Sequence, residues 1–350
     1  MRRLSQFVAL MVLAASSAAG YYHFVHYTSR LGPFTPAYEK FDLNALPNKT
    51  VSFYISEDRP ALAPGDSFEA LVAQIRQGLA VWNGVPASDL RVAYGGVGNI
   101  GSLTALTPAG EIVFAELPPG VLGLAGPSVK LAPGGGFVPI VRSQVMLPRD
   151  LTNRSSAGES FFNSMVHEIG HALGLQHTFT GSVMTQEPTR STTRARPLGT
   201  DDAAGLAVLY PAPGVAGTVG AITGRVLNSS GHGLHLVSVV AASPSGAVIS
   251  ALTAPDGAYR IEGLPPGTYI VYAHGLPPAA DIVLPVDGFG AAIDAAGPVE
   301  TQFYGGTKDP NTSIPVVVNA GLTNDGVDFR LAERTSLPVY NVTTYSFPGN

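Results

Sequence analysis

The chain has 350 residues, of which 45% are hydrophobic and 13% charged; this is enough apolar material for two folded domains and excludes wholesale disorder. The formal net charge of −5 and the scattered positions of the 20 Lys and Arg residues exclude the basic stripe that follows a phosphate backbone, so we expect no nucleic-acid partner. The chain has no cysteine, which excludes disulfides and thiol chemistry, and its 41 Gly and 29 Pro predict many turns between short strands.

The first 20 residues are typical of a secretory signal peptide. Arg2 and Arg3 give a positive start, residues 7–15 form an apolar run, and residues 16–20 are small. Because the run is short for a membrane crossing, we expect no membrane span in the mature chain. The predicted location is secreted or extracellular, with the periplasm and the cell surface as narrower alternatives. An uncleaved N-terminal anchor is the competing interpretation.

Residues 21–211 form the first predicted domain, which opens with an aromatic, irregular stretch. Apolar patterning then predicts strands at 51–56, 90–94, 111–117 and 137–147. Asp66 or Ser67 can cap a helix that runs to about Trp82. The glycine-rich loops between these strands are not followed by Lys-Ser or Lys-Thr, so they indicate turns and not a phosphate-binding loop.

Two further helices complete this domain. Ser156 and Glu159 form a capping-box pattern before a helix with one continuous apolar face. Thr200 is the expected N-cap of the last helix. Asp201 and Asp202 follow in its first turn, where carboxylates favour the positive end of the helix dipole, and we expect structural roles for both.

The rest of the chain predicts a small all-β sandwich over residues 221–333, after a linker at 212–220 and before a loose tail at 334–350. Turn residues separate short apolar strands at 221–227, 236–242, 248–253, 258–261, 268–273, 314–318 and 327–331. Short strands at this spacing favour a sandwich.

Residues 167–177 read HEIGHALGLQH and predict a metal site. His167 and His171 are four residues apart, so on a helix both imidazoles can reach one ion. Gly174 can end the helix in the left-handed conformation and let His177 return as a third ligand. Three protein ligands that leave a fourth position to water are the arrangement of a catalytic Zn²⁺ site.

Glu168 lies beside the first ligand without being needed as one. A carboxylate there can take a proton from the attacking water and pass it to the leaving amine of a peptide, which makes Glu168 the candidate catalytic residue. The alternative is that these are ordinary polar residues of an amphipathic helix. The full pattern has a chance expectation of roughly 10⁻⁵ at this composition, so we adopt the zinc-site interpretation.

This motif, followed by Met184 in GSVMTQ and by LGTDDAAGLAVLYP at 198–211, resembles the metzincin metallopeptidases and among them the matrixins. The resemblance implies an α+β zincin-like domain with a twisted mixed sheet, a zinc helix and a cleft for extended peptides. It also implies that Met184 is an apolar floor under the ion, whereas the residues alone would make Met184 plain core.

Several features of matrixins are missing from the sequence. Without cysteine there is no propeptide cysteine switch, which leaves the latency mechanism open. Histidine is absent between Tyr27 and Val166, so the second, structural zinc site lacks its ligands, and the loops between Gly95 and Gly136 contain no Asp for calcium. No Tyr follows soon after Met184, so a tyrosine ligand is not indicated.

The stretches ITGRVLNSSGHGL at 222–234 and DGAYRIEGLPPGTY at 256–269 resemble the carboxypeptidase regulatory-like domain, a prealbumin-type β-sandwich. This resemblance implies a stabilising or adhesive appendage that contacts a cell surface or matrix. We expect packing or surface roles for the remaining histidines, which are His23, His26, His232, His235 and His274.

The predicted function is therefore a secreted zinc-dependent endopeptidase that cleaves extracellular proteins. The rival is a catalytically inactive surface-binding protein built on the same scaffold, against which the intact Glu168 counts. A zinc hydrolase of non-peptide substrates is a third alternative that no residue favours.

Overall fold

A computed structural model of the chain describes residues 22–98, 108–130, 136–186, 192–278 and 280–334. The predicted signal peptide and nearly all of the predicted tail lie outside the described residues. The elements of the first part are β1 (Val25–Tyr27), β2 (Pro36–Lys40), β3 (Thr50–Ile55), β4 (Ala61–Leu62), α1 (Phe68–Trp82), β5 (Arg91–Val97), β6 (Ala109–Ala115), β7 (Leu124–Val129), β8 (Val138–Pro148), β9 (Asp150–Leu151), α2 (Glu159–Ala172) and α3 (Thr200–Leu209).

One mixed sheet forms the base of this first part. Its strand order is β1-β2-β8-β6-β3-β5. The first residues of β8 pair with β2, and the residues of β8 that follow pair with β7. The strands β3, β5, β6 and β8 run parallel, whereas β7 is antiparallel to β8. Alternate residues of β3 (Val51, Phe53 and Ile55) are fully buried, as expected for a strand with one face in the core.

The helices α1 and α2 pack against each other and share one hydrophobic core with the sheet. The Ser67 side chain caps α1 by accepting the Ala70 N–H at 3.1 Å. A glycine at position 78 lets the two helices approach, since a Cβ there would lie 2.5 Å from the Cε of Met165. The Trp82 indole N–H donates to the Val166 carbonyl at 3.1 Å and so ties the end of α1 to the middle of α2.

The predicted capping box of α2 is wrong. Gly158 is the N-cap, and the backbone N–H of Ser156 donates to the Asp66 carboxylate at 2.7 Å. The Glu159 carboxylate accepts the backbone N–H of Arg194 at 3.2 Å. Both residues are thus used by chain segments that are distant in sequence, which a local pattern cannot reveal.

The start of α3 and three strands also differ from expectation. Gly199, and not Thr200, is the N-cap of α3, and its N–H donates to the Asp202 carboxylate at 2.7 Å. The strands β1 and β2 lie in the stretch that was expected to be irregular, and β7 was not predicted because Gly126 and Pro127 interrupt its pattern.

The C-terminal module, our name for the part from residue 220 to residue 334, consists of β-strands and one short 3₁₀ helix (Pro310–Thr312) in the residues described. Its strands are β10 (Gly220–Asn228), β11 (Ser238–Ala242), β12 (Val248–Leu252), β13 (Ala258–Leu264), β14 (Gly267–His274), β15 (Gln302–Phe303), β16 (Val316–Val318), β17 (Thr323–Asn324) and β18 (Phe329–Leu331). They form a β-sandwich-like pair of sheets, one centred on β10 and the other on β11 and β14. The module has its own hydrophobic core.

Asp201 at the start of α3 joins the module to the first part. Its buried carboxylate accepts the hydroxyls of Thr178 and Thr180 at 2.8 and 2.6 Å. From β12 it accepts the Ser250 N–H at 3.0 Å and the Ser250 hydroxyl at 2.7 Å. Burial raises the pKa of Asp201, and the hydrogen bonds from Thr180, Ser250 and Thr178 oppose that effect.

A second contact between the two parts is apolar. Val25 and Tyr27 of β1 form a small buried cluster with Ala254 of the module. In the described ranges, no helix has both the length and the apolar character that a membrane crossing needs.

Replacing Asp201 with Ala should lower the free energy of unfolding by roughly 3 kcal/mol, because the donors of Thr178, Thr180 and Ser250 would be buried without their acceptor. Denaturant titration followed by circular dichroism measures this change. The exposed Asp58→Ala variant is the matched control and should change stability by less than about 0.5 kcal/mol. Equal effects of the two substitutions would show that Asp201 does not join the parts.

Candidate metal centre

The helix α2 carries two of the predicted ligands and ends just after the second. It stops at Ala172, and Gly174 then takes a φ of +104°, which costs glycine little and other residues much. A Cβ on Gly174 would also lie 2.6 Å from the carbonyl oxygen of Glu39. This turn sends the chain back toward the helix, so that His177 reaches the rings of His167 and His171.

The three imidazoles meet at their Nε2 atoms. The His167 and His171 Nε2 atoms are 3.0 Å apart, and that of His177 lies 3.1 and 3.2 Å from them. A tetrahedral ion with bonds of about 2.0–2.1 Å to nitrogen separates its ligand atoms by about 3.3 Å. The described residues contain this one cluster of ligand atoms close enough to hold a metal ion. The donor set and its spacing fit Zn²⁺.

Backbone carbonyls fix the protonation of these rings. The Nδ1 atom of His167 lies 2.6 Å from the carbonyl oxygen of Val183, and that of His171 lies 2.8 Å from the oxygen of Leu175. The Nδ1 atom of His177 lies 2.5 Å from the oxygen of Asp281. Because a carbonyl can only accept, each Nδ1 donates, and in a neutral ring Nε2 is then the atom with the lone pair.

Asp202 holds the chain segment that supplies one of these carbonyls. Its carboxylate accepts the backbone N–H groups of Val183 and Met184 at 2.9 and 3.1 Å. Burial raises the pKa of Asp202 to about 6, against the hydrogen bonds it receives from Gly199 and Val183. Met184 is fully buried, and a Cβ on Gly170 would lie 2.3 Å from its sulfur, so Met184 packs directly on α2 between the two helical ligands.

Glu168 borders an open cleft of about 720 Å³ next to the histidines. Residues 120–127, which include most of β7, line the same cleft. A Cβ on Gly123 would lie 2.5 Å from the Cγ of Glu168 and 2.8 Å from its Oε1. The bare backbone at Gly123 is therefore what leaves room for this carboxylate.

The structure thus brings the three histidines together and puts Glu168 at the cleft beside them. Gly174 lies at the turn between the second and third of these histidines, and Met184 lies against the helix that bears the first two. Sequence reasoning missed Gly123, which it assigned to plain turns, and it missed the carbonyl of Asp281, since backbone groups leave no trace in a sequence. Asp202 was expected only to start a helix, and its contact with the Met184 segment depends on the tertiary fold.

Three of the other histidines make hydrogen bonds within the fold. The Nε2 atom of His23 lies 3.0 Å from the carbonyl oxygen of Gly205, and that of His26 lies 2.6 Å from the Oε1 of Glu39. The Nδ1 atom of His235 lies 2.8 Å from the carbonyl oxygen of Asp294. None of these rings belongs to the metal-ligand cluster found among the described residues.

Comparison with family models finds two partial matches. The matrixin model, that of a peptidase family, matches residues 136–211, and the carboxypeptidase regulatory-like domain model matches residues 221–287. Residues 136–211 are therefore similar to matrixins, and residues 221–287 are similar to carboxypeptidase regulatory-like domains. The matrixin match includes every histidine of the cluster and supports a zinc metallopeptidase in general, with protein substrates. No curated protein matches the chain significantly.

Three solved structures that match the chain are remotely similar to it. A group B streptococcus pilus 2b backbone protein is 17% identical, with 33% of this chain and 42% of that chain covered and a TM-score of 0.17. Catechol 1,2-dioxygenase from Pseudomonas arvilla C-1 is 14% identical, with 34% and 54% covered and a TM-score of 0.18. The dioxygenase domain of a dioxygenase carbohydrate-binding protein fusion from the cellulolytic bacterium Streptomyces sp. SirexAA-E is 15% identical, with 34% and 84% covered and a TM-score of 0.16. The chain spans about half the length of the first two, and such scores support no inference about fold or function.

Replacing Gly123 with Ala should reduce kcat/KM on a protein substrate at least about tenfold, because the new methyl group would displace the Glu168 carboxylate. Zinc content should stay at the parent level, since no histidine is touched. Gly98→Ala is the matched control, because a Cβ at Gly98 meets nothing within 4 Å. A fully active Gly123→Ala variant would show that the carboxylate tolerates displacement.

Proposed function

We propose that this chain is a secreted zinc endopeptidase that cleaves extracellular proteins. One observation carries the proposal: the Nε2 atoms of His167, His171 and His177 lie 3.0–3.2 Å apart while each Nδ1 donates to a carbonyl, beside a buried glutamate at an open cleft. If all three rings are neutral and donate from Nδ1, the Nε2 lone pairs face one another at these distances, and a shared cation removes their repulsion. The matrixin match over the same residues supports zinc as that cation.

The proposed roles follow from position. Zinc, when bound, polarises the scissile carbonyl and makes water more acidic. Glu168 takes the proton of the attacking water and returns it to the leaving amine, since its carboxylate borders the cleft next to His167. Gly123 leaves space for that carboxylate, and the carbonyls of Val183, Leu175 and Asp281 hold the rings in the protonation state that binds a metal.

The strand β7 is the proposed binding surface for the substrate backbone. It borders the cleft, and its described ladder pairing is with β8 alone, so its second edge can pair with an extended peptide. Phe24, Val121 and Leu124 give the cleft apolar walls, which favours apolar side chains near the cleaved bond.

The finer architecture belongs to the same proposal. A mixed sheet with α2 as its zinc helix is consistent with a zincin-like α+β domain over 21–211, followed by a linker at 212–220 and a β-sandwich over 221–333. The signal peptide at 1–20, the secreted location and a contact of the module with a cell surface or matrix stay predictions. The inactive surface-binding scaffold remains the alternative function, and activity assays separate the two.

Casein cleavage by the purified chain should stop when a zinc chelator is added. Glu168→Gln should keep one equivalent of zinc and lower kcat by at least about a hundredfold, because proton transfer is lost while the ligands remain. The exposed Glu159 on the same helix is the matched control, and Glu159→Gln should cleave like the parent. A Glu168→Gln variant that cleaves casein at the parent rate would refute the assigned role, and a parent without activity would favour the inactive scaffold.

Removal of zinc should also destabilise the folded chain. Zinc at a thousand times its dissociation constant stabilises a fold by about 4 kcal/mol, so chelation should lower Tm by several degrees. Calorimetry with and without chelator measures the shift. The shift should vanish in His177→Ala and persist in His232→Ala, whose ring is exposed and distant from the cluster. An equal shift in both variants would rule out the His177 site.

A further inference from the structure

The segment 281–286 of the C-terminal module leaves its own domain and runs along the first part. The backbone of Val286 pairs with β1: it accepts the N–H of Tyr27 at 2.8 Å and donates to the carbonyl of Val25 at 3.3 Å. Just beyond the segment, Asp287 accepts the guanidinium of Arg30 at 2.5 Å. One end of the segment is therefore anchored on the N-terminal hairpin.

Two glutamines anchor the other end beside the histidine cluster. The Gln176 side chain donates to the carbonyl of Val283 at 2.9 Å and accepts the Val283 N–H at 2.7 Å. The Gln186 side chain accepts the Asp281 N–H at 2.8 Å. These bonds leave the Asp281 carbonyl 2.5 Å from the Nδ1 of His177. A backbone group of the module thus orients a ring of the candidate metal centre.

The same segment lines the cleft. Asp281 and Val283 border it together with Glu168 and β7, and 59% of the Val283 surface is exposed. Since its hydrogen bonds run mainly to the first part, the segment is held as a wall of that cleft. An appendage joined only by a flexible linker would make no such contacts.

We infer that segment 281–286 completes the catalytic cleft: its Asp281 carbonyl is a positioning group for His177, and Val283 forms part of the substrate-binding wall. The inference rests on the proposed function. It changes the expected role of the module from a stabilising or adhesive appendage to a part of the enzyme. The module and the metal are then coupled, so zinc binding must order the segment as much as the segment favours zinc binding.

The test removes the two anchoring side chains in the full chain and leaves every ligand in place. The Gln176→Ala/Gln186→Ala double variant should bind zinc about 10- to 100-fold more weakly in competition with a chromophoric chelator, because a partner of a metal ligand is released. Its KM for casein should rise as the wall loosens. The matched control is Gln77→Ala/Gln302→Ala, since neither glutamine lines the cleft and each is hydrogen-bonded to a residue that does not line it, Arg194 or Arg330; this variant should bind zinc like the parent.

Hydrogen exchange of the parent chain gives a second measurement that does not depend on the variants. Zinc loading should slow amide exchange in a peptide that spans residues 281–286, and should leave the exposed loop at 229–231 unchanged. Parent zinc affinity in the double variant, or exchange at 281–286 that ignores zinc, would overturn the inference while the peptidase assignment stands. A parent that neither binds zinc nor cleaves casein would overturn both.

Discussion

The Nε2 atoms of three imidazoles lie 3.0–3.2 Å from one another, and many contacts in the first part of the chain hold them there. Each ring is turned by a carbonyl that accepts its Nδ1–H, and the three carbonyls come from separate places: the turn after α2, the segment at Val183, and Asp281 of the module. Such a cluster is unfavourable by itself, so the surrounding fold must hold it rigidly until a cation is shared.

Two neighbouring carboxylates help to hold the segments around the histidine cluster in place. Asp202 accepts the N–H groups of Val183 and Met184, and Asp201 binds the threonines just after His177 and the Ser250 of β12. Burying two adjacent carboxylates costs free energy, as the raised pKa of each indicates. Their hydrogen bonds offset that cost, and the first turn of α3 thereby fixes both the metal-site loop and the interface with the module.

The sequence predicted those parts of the site that depend on side-chain type and local spacing. Histidines four residues apart on a helix must share a face, and a glycine that ends a helix lets the chain return, so the pattern around His167 and Gly174 was readable. Family models match residues 136–211 of the first part and residues 221–287 of the module. Local spacing says nothing about partners far along the chain. The predicted capping role of Ser156 was wrong for this reason, since Ser156 contacts Asp66 and does not cap α2.

The roles of backbone groups could not be predicted from the sequence either. Gly123 matters because it lacks a side chain next to Glu168, and Asp281 matters through its carbonyl, so neither has a chemical signature in the sequence. The strand β7 was not predicted for a related reason. Pro127 and Gly126 weaken its pattern, yet a strand at the edge of a sheet tolerates both residues, and an edge is where a substrate can add.

A chain without cysteine has few means of fastening two parts together, and a metal ion bound by the three histidines would supply one. Its ligands come from α2 and the return loop, and the third ligand is bonded to the module through Asp281. Because a site of this kind forms only in the folded chain, the free energy of metal binding adds to the free energy of folding. Part of that energy would therefore stabilise the contact between the two parts. In many extracellular proteins a disulfide stabilises such a contact.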